Sequence, residues 1–456
     1  MFSETVYHGT ISALLTIFCL GLMVTTTSVA LGVPVEPAAE EEPLSVILMI
    51  GDGMGYEHVK LARWVELGRT GHLRMERYDF TASVLTHSAS ADITDSAAAG
   101  TALATGVKTI NGRISKDPSG ANLETILEIA EGYDKSTGVV STCFVQHATP
   151  ATFYAHVQSR SSYGEITRQA VEEVDVEVIL GGGSEYFSPS QLTAMEDSGY
   201  SVVTNRSHML STSSSKILGL FSESHMPYEQ DRDFEQTPSL GEMTEKSIDV
   251  LSQDPDGFFL MVEGGRIDHA GHDNDKVNDA LDTIAFDEAV GVAIDYVQSH
   301  SNTILMVTAD HECGGLTVMS ENLSDTVPDA SMTASENRSL RVERATNVTV
   351  SWISDYHTAV PVPLYCFGEA FENLPANYTI DNTDVFDLMN DYYTGTPLSI
   401  TNVTTSTTSS TTTTSTETTT TSTNPPSDLI PPVLFISIVL IAVTIVVIIV
   451  VLRKPR

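Results

Sequence analysis

The sequence predicts an α/β fold with a largely parallel sheet covered by helices on both faces. Two observations carry this expectation: short, almost wholly apolar runs, and helical patterns between them. Strands buried on both faces read as continuous apolar runs, whereas one-sided sheets alternate in polarity. In chain order, the strand Ser45–Ile50 (SVILMI) precedes a helix over 57–67, and a helix over 123–130 leads into the strand 137–141. A helix over 164–174 is followed by the strand 177–180, and one over 243–252 by the strand 258–262 (FFLMV). The long helix 275–297 then leads to Thr303–Thr308 (TILMVT), and 363–367 (PLYCF) is the last strand. In such a sheet the site is expected just past the carboxyl ends of the strands.

Composition removes several classes of function. The 456 residues hold 23 Lys+Arg against 60 Asp+Glu, a formal net charge of −37, and nucleic-acid binding needs the opposite sign. With 41% hydrophobic residues the chain is too apolar for a disordered protein. Four unclustered cysteines form neither a disulfide framework nor a CxxC zinc site. Cys143 and Cys366 read as buried core thiols. Cys313, close behind Asp310 and His311, is expected to pack in the core, with a place beside the ligands as the alternative.

The ends indicate where the protein resides. An apolar stretch over 11–24 followed by Ser28-Val29-Ala30 reads as a signal peptide, residues 1–30. Its first segment has Glu4 and His8 but no Lys or Arg, so an uncleaved anchor is the alternative. Residues 31–43 form a short segment before the globular domain, 44–393. Residues 394–428 are a Thr/Ser-rich stalk, a composition that builds no core and is commonly O-glycosylated beside membranes. The span 429–452 is long and apolar enough to cross a bilayer, and the basic tail 453–456 belongs on the cytoplasmic side. The charged tail also argues against a lipid-anchor signal. Sequons at Asn205, Asn322, Asn337, Asn347, Asn377 and Asn402 fit an extracellular surface. The expected location is therefore the cell membrane, single-pass, with the globular domain outside.

Three strands run into carboxylates. Ser45–Ile50 leads to Gly51-Asp52-Gly53-Met54-Gly55, and 258–262 leads to Glu263, Asp268, His269 and His272. Thr303–Thr308 leads to Ala309-Asp310-His311. Carboxylates and imidazoles converging at strand ends form a dense set of metal ligands. Asp95-Ser96 precedes an Ala-rich helix. There Ser96 is either a nucleophile at a helix N-terminus or, with Asp95, a helix cap.

Together GDGMG, Asp95-Ser96-Ala97-Ala98, VEGGRIDHAGH, Ala309-Asp310-His311 and His357-Thr358 resemble the alkaline phosphatases, in order along the whole globular part. The resemblance implies a three-layer α/β/α sandwich that hydrolyses phosphate monoesters with two zinc ions, one magnesium ion and a serine nucleophile. It implies one zinc on Asp268, His272 and His357, and a second on Asp52, Asp310 and His311 with Ser96 completing its shell. Magnesium would take Asp52, Thr149 and Glu263. Ser96 would form the phosphoserine, Arg160 would clamp the phosphate, and Asp95 would orient Arg160. Ions on the entering and leaving oxygens would make a two-metal clamp. His147 and His269 would stand one step outside these ligands. Histidine at both positions resembles the animal-type enzymes and leaves the third ion as magnesium or zinc.

The implied partners are small phosphate monoesters, with no nucleic acid, and the membrane through the C-terminal helix. A homodimer is left open by the short 31–43 segment. Residues 316–356 are expected to be a variable, loop-rich insertion. A phosphodiesterase or sulfatase of the same superfamily is the alternative enzyme, although the Cys-x-Pro-x-Arg segment of sulfatases is absent. An inactive glycosylated binding protein is the alternative outside catalysis.

Overall fold

The structure, a computed structural model, describes residues 43–372, 374 and 378–400. The leader, nearly all of 31–43, most of the stalk, the apolar span, the basic tail, Asn377 and Asn402 lie outside the described residues. Among the described residues no helix is long and apolar enough to cross a membrane.

The strands are β1 Ser45–Ile50, β2 Phe80–Leu85, β3 Ser136–Phe144, β4 Val178–Gly182, β5 Ser201–Val203, β6 Ile217–Leu220 and β7 Phe258–Glu263. They continue with β8 Thr303–Thr308, β9 Glu312–Cys313, β10 Thr317–Glu321, β11 Val348–Ser351, β12 His357–Thr358, β13 Val362–Phe367 and β14 Tyr378–Asp381. The helices are α1 Tyr56–Leu67, α2 Ser96–Thr105, α3 Ile126–Gly132, α4 Ala148–Tyr154, α5 Tyr163–Glu172 and α6 Pro189–Asp197. After them come α7 Arg206–Ser211, α8 Leu240–Leu251, α9 Arg266–His272, α10 Lys276–Ser299, α11 Ala334–Thr346 and α12 Asn382–Tyr393.

Ten strands form one sheet in the order β14-β2-β13-β8-β1-β7-β3-β4-β6-β5. Only β13 runs antiparallel to its neighbours β8 and β2 within it. Helices flank the sheet: α2 packs on α4 and α12, while α10 packs on α1, α8, α9 and α11. The α/β fold with a largely parallel sheet is the one the apolar runs predict.

Register matters more than topology for the site. β1 is central and buried throughout its six residues, as its unbroken apolar run requires. Its last residue, Ile50, lies opposite Glu263 of β7 and Thr308 of β8, and Ser141 of β3 lies opposite Glu263. Strands that finish level deliver the residues just beyond them to one place.

Two features differ from the expectations. β2, which alternates between buried and partly exposed residues, joins the sheet beside β13. The segment 316–356 carries a two-stranded sheet of β10 and β11 and the helix α11, so it is less loop-rich than expected. Cys143, Cys313 and Cys366 are free and buried.

Candidate active site

Asp52 stands two residues past β1, Glu263 ends β7, and Asp310 stands two residues past β8; all three are fully buried. Neither oxygen of Asp52 has a hydrogen-bond partner. Burial, with the nearby charges of Asp310, Asp268 and Glu263, pushes its carboxyl well above the usual range. Burial likewise raises Glu263 to about 7, partly offset by the Ser141 hydroxyl, which donates to Oε2. Burial and then Asp268 raise Asp310 to about 6. Unpaired buried carboxylates are costly, and cations among them remove that cost.

A second group lies on α9 and β12. Asp268 and His272, four residues apart, share one helix face, with His272 Nε2 3.3 Å from Asp268 Oδ2. His357 Nε2 is 3.4 Å from Asp268 Oδ1 and 3.1 Å from His272 Nε2. Each ring is aimed from behind: His272 Nδ1 is 2.7 Å from the Asp355 carbonyl, and His357 Nδ1 is 3.0 Å from the Thr94 carbonyl. A ring whose Nδ1–H is spent on a carbonyl presents a lone pair at Nε2. Two such lone pairs 3.1 Å apart repel unless a proton or a cation stands between them, so this donor set fits a divalent ion.

Ser96 is the first residue of α2 and is 1% exposed, with Oγ 3.3 Å from His311 Nε2. That same nitrogen lies 3.2 Å from Asp310 Oδ2 and 3.6 Å from Asp52 Oδ1. Burial, then His357, hold the His311 imidazole well below its ordinary pKa, so it is neutral. Arg160 enters from the loop after α4, where Nη1 donates to Asp95 Oδ2 at 3.0 Å and the backbone N–H donates to the Gly112 carbonyl at 2.7 Å. Asp95 Oδ1 meanwhile caps α2 by accepting from Ala98 N at 3.0 Å. Asp95 thus makes both the helix cap and the arginine contact.

Four sets of ligand atoms lie within 4.8 Å of one another: Asp268, His272, Cys313 and His357; Asp52, Asp310 and His311; Asp52, His147 and Glu263; and Cys143, His147 and His269. The first three contain the ligand groups implied for three ions. Thr149, on the first turn of α4, is fully buried with an unpartnered hydroxyl near Glu263. His147 lies with Asp52 and Glu263 in the third set: it stands at the N-cap position of α4, which β3 brings level with Glu263. His269 is grouped with Cys143 and His147, its Nδ1 2.8 Å from Arg266 Nη1.

Sequence reasoning missed His225, whose ring lies 4.4 Å from that of His269 and 5.5 Å from that of His147. Its one signal is a place a few residues past β6. Cys313 is buried and free, as expected of a core thiol, and its sulfur also lies within reach of Asp268, His272 and His357. Its position two residues after His311 was the available signal. His58 was missed too: it lies buried on α1 with Nδ1 2.6 Å from Asp279 Oδ2 and Nε2 3.2 Å from Glu312 Oε1.

The family model described as alkaline phosphatase matches residues 44–331. The chain belongs to the alkaline phosphatase family. Alkaline phosphatase 4 of Bacillus subtilis is 33% identical over 401 residues, covering 75% of this chain and 86% of that protein. The tissue-nonspecific alkaline phosphatase of Gallus gallus is 33% identical over 329 residues, covering 59% of this chain and 62% of that protein. Among solved structures, the cold-active alkaline phosphatase of Shewanella sp. matches with a TM-score of 0.67 and 31% identity, over 76% of this chain and 99% of that one. A mutant of the TAB5 alkaline phosphatase, with a TM-score of 0.65 and 27% identity, has Mg bound in its M3 site; the match covers 77% of this chain and 98% of that one. This alkaline phosphatase family member is a phosphatase enzyme.

Proposed function

We propose that this chain hydrolyses phosphate monoesters to an alcohol and inorganic phosphate through a phosphoserine at Ser96. The observation that supports this reading most is the Ser96 hydroxyl at the head of α2, 3.3 Å from His311 Nε2, beside an arginine held by Asp95. Asp268, His272 and His357 would hold one zinc ion, Asp52, Asp310 and His311 a second, and Asp52, Thr149 and Glu263 a magnesium ion. When bound, these ions would supply the positive charge that favours ionisation of the serine and stabilises the departing oxygen.

The chain's own residues do the rest. Ser96 Oγ bonds to phosphorus as the ester oxygen leaves from the opposite side, and water then releases phosphate from the serine by the reverse displacement. The N-terminus of α2 favours the developing negative charge at Ser96. Arg160 offers paired N–H groups to two non-bridging oxygens, fixing the phosphoryl group for in-line attack. His147 Nε2 lies 3.4 Å from Arg160 Nη2, while Asp95 holds Nη1.

The apolar span and the stalk support placing this site outside the cell, tethered at the membrane. The deciding experiment assays the purified chain on monoesters and diesters, with metal analysis of the same sample. Monoester turnover with zinc and magnesium bound is expected, and turnover confined to diesters would overturn the reading. Ser96→Ala should lower the rate by about 10³-fold or more while the fold and metal content stay unchanged. Undiminished turnover in that variant would remove Ser96 as the nucleophile.

A further inference from the structure

The sulfur of Cys313 has no counterpart in the ligand set above. Cys313 and His357 are directly opposed across the antiparallel pair of β9 and β12, which places their side chains as neighbours on one face. The backbone of Cys313 is pinned on both sides. Its N–H donates to the Gly53 carbonyl at 3.0 Å, and its carbonyl lies 3.0 Å from His58 Nε2. Across from it, α9 carries Gly271 immediately before His272. A side chain at Gly271 would place Cβ 3.1 Å from the Cys313 sulfur and 2.9 Å from its Cβ, so the missing side chain is what leaves room for the thiol. The thiol is fully buried and makes no disulfide. Asp268 Oδ1, also buried, has the His357 ring nitrogen at 3.4 Å and no closer polar partner.

We propose that Cys313 is a fourth protein donor to the ion held by Asp268, His272 and His357. One carboxylate, two imidazoles and one sulfur suit zinc, cadmium or cobalt and discriminate against magnesium, and the departing oxygen would enter as a fifth donor. On binding, the thiol proton passes to solvent and a sulfur lone pair forms the bond to the ion; no oxidant or reductant is involved. The cluster therefore captures soft ions more tightly than three donors would. The proposal rests on the reading that these three residues hold an ion, and zinc content of the sample tests that reading separately.

The test uses the full chain with cobalt(II) exchanged for zinc. A thiolate-to-cobalt charge-transfer band in the near ultraviolet is expected. It should persist in Cys143→Ser and Cys366→Ser and be lost in Cys313→Ser. Zinc X-ray absorption on the unaltered chain guards against misfolding of that variant, and should show a sulfur scatterer at about 2.3 Å. Absence of both the band and the sulfur scatterer, in protein whose zinc content is normal, would overturn the proposal. So would a band lost in Cys143→Ser and kept in Cys313→Ser, which would move the sulfur ligand to the set shared with His147 and His269.

Discussion

Asp95 and Arg160 are held together by a 3.0 Å contact between Oδ2 and Nη1, and the same carboxylate accepts from Gly112 N at 2.9 Å and from Ala98 N at 3.0 Å. One side chain thus caps the helix that carries Ser96, ties down the loop at Gly112, and sets the direction of the arginine. Since Gly112 also accepts from the Arg160 backbone at 2.7 Å, the arginine is held at its main chain as well as at its guanidinium. That is the preorganisation needed to receive a phosphoryl group without first paying for side-chain ordering.

These roles separate by substitution. Asp95→Asn retains an oxygen for the α2 cap but turns its NH2 toward the Gly112 N–H and Arg160, losing both of those contacts, whereas Asp95→Ala loses the cap as well. The alanine variant should be less stable by about 1 kcal/mol from the lost cap. The asparagine variant, which keeps the cap, should melt between the alanine variant and the unaltered chain. Both should show a raised KM for monoesters and weaker inhibition by inorganic phosphate. Equal melting temperatures for the two variants would show that the cap contributes nothing.

Metal removal should matter more as pH rises. In the metal-free protein burial holds Glu263 at about 7 and Asp310 at about 6, and raises Asp52 as well. A carboxyl whose folded pKa lies above its unfolded value keeps its proton in the folded chain. The folded state is then favoured at low pH and loses stability as pH rises from the unfolded values near 4 through the folded ones. Bound cations reverse that preference. The melting temperature lost on chelation should therefore be small at pH 5 and larger at pH 8, measured on one sample with and without chelator. A gap that does not change with pH would contradict this.

His58 gives the same sign in a higher pH window. Burial alone pulls its imidazole down, but Asp279, 2.6 Å from Nδ1, and then Glu312 overcome it and hold His58 at about 10. The protonated ring bridges α1, α10 and β9. A raised imidazole pKa contributes stability in full below the unfolded value near 6.5, and that contribution is lost as pH climbs through about 10. His58→Gln should cost on the order of a few kcal/mol at pH 6 and much less at pH 10. Urea denaturation at the two pH values measures the difference.

Much of this site is legible in sequence for a physical reason. Asp52, Glu263 and Asp310 follow unbroken apolar strands, and a parallel sheet gathers strand ends at one edge whatever its strand order. Elements without an apolar signature were harder to read. Helix α11 buries little besides Arg344 and Ala345, so no hydrophobic stripe announces it. Its buried Arg344 instead donates to the carbonyls of Trp64 and Val65 at the end of α1 and to those of Ser324 and Thr326. These are contacts between segments far apart in the chain, which no local pattern encodes. His147 and Cys313 were visible as residues, but their distance from the ligands is set by β3 register and by β9–β12 pairing.

Gly53 offers the sharpest test of how the loop after β1 organises the site. Its φ of +74° lies in the left-handed region, and a Cβ there would stand 2.8 Å from the Asp268 backbone Cα. Its N–H donates to Asp310 Oδ1 at 3.1 Å, and its carbonyl accepts from Cys313 N at 3.0 Å. One residue therefore touches the loops that follow β1 and β8 and the helix α9. Gly53→Ala incurs a left-handed strain of about 1–2 kcal/mol and must also push α9 away, because the clash is with backbone. Asp268 would be displaced from His272 and His357. The variant should fold with a lower melting temperature and retain less zinc than the unaltered chain after dialysis. Gly112→Ala serves as the control: its φ of +83° brings similar strain, but a Cβ there meets nothing within 4 Å. It should lower the melting temperature by the strain alone, with zinc content unchanged. Equal zinc loss in both variants would mean that strain, and not the displacement of Asp268, governs retention of the ion.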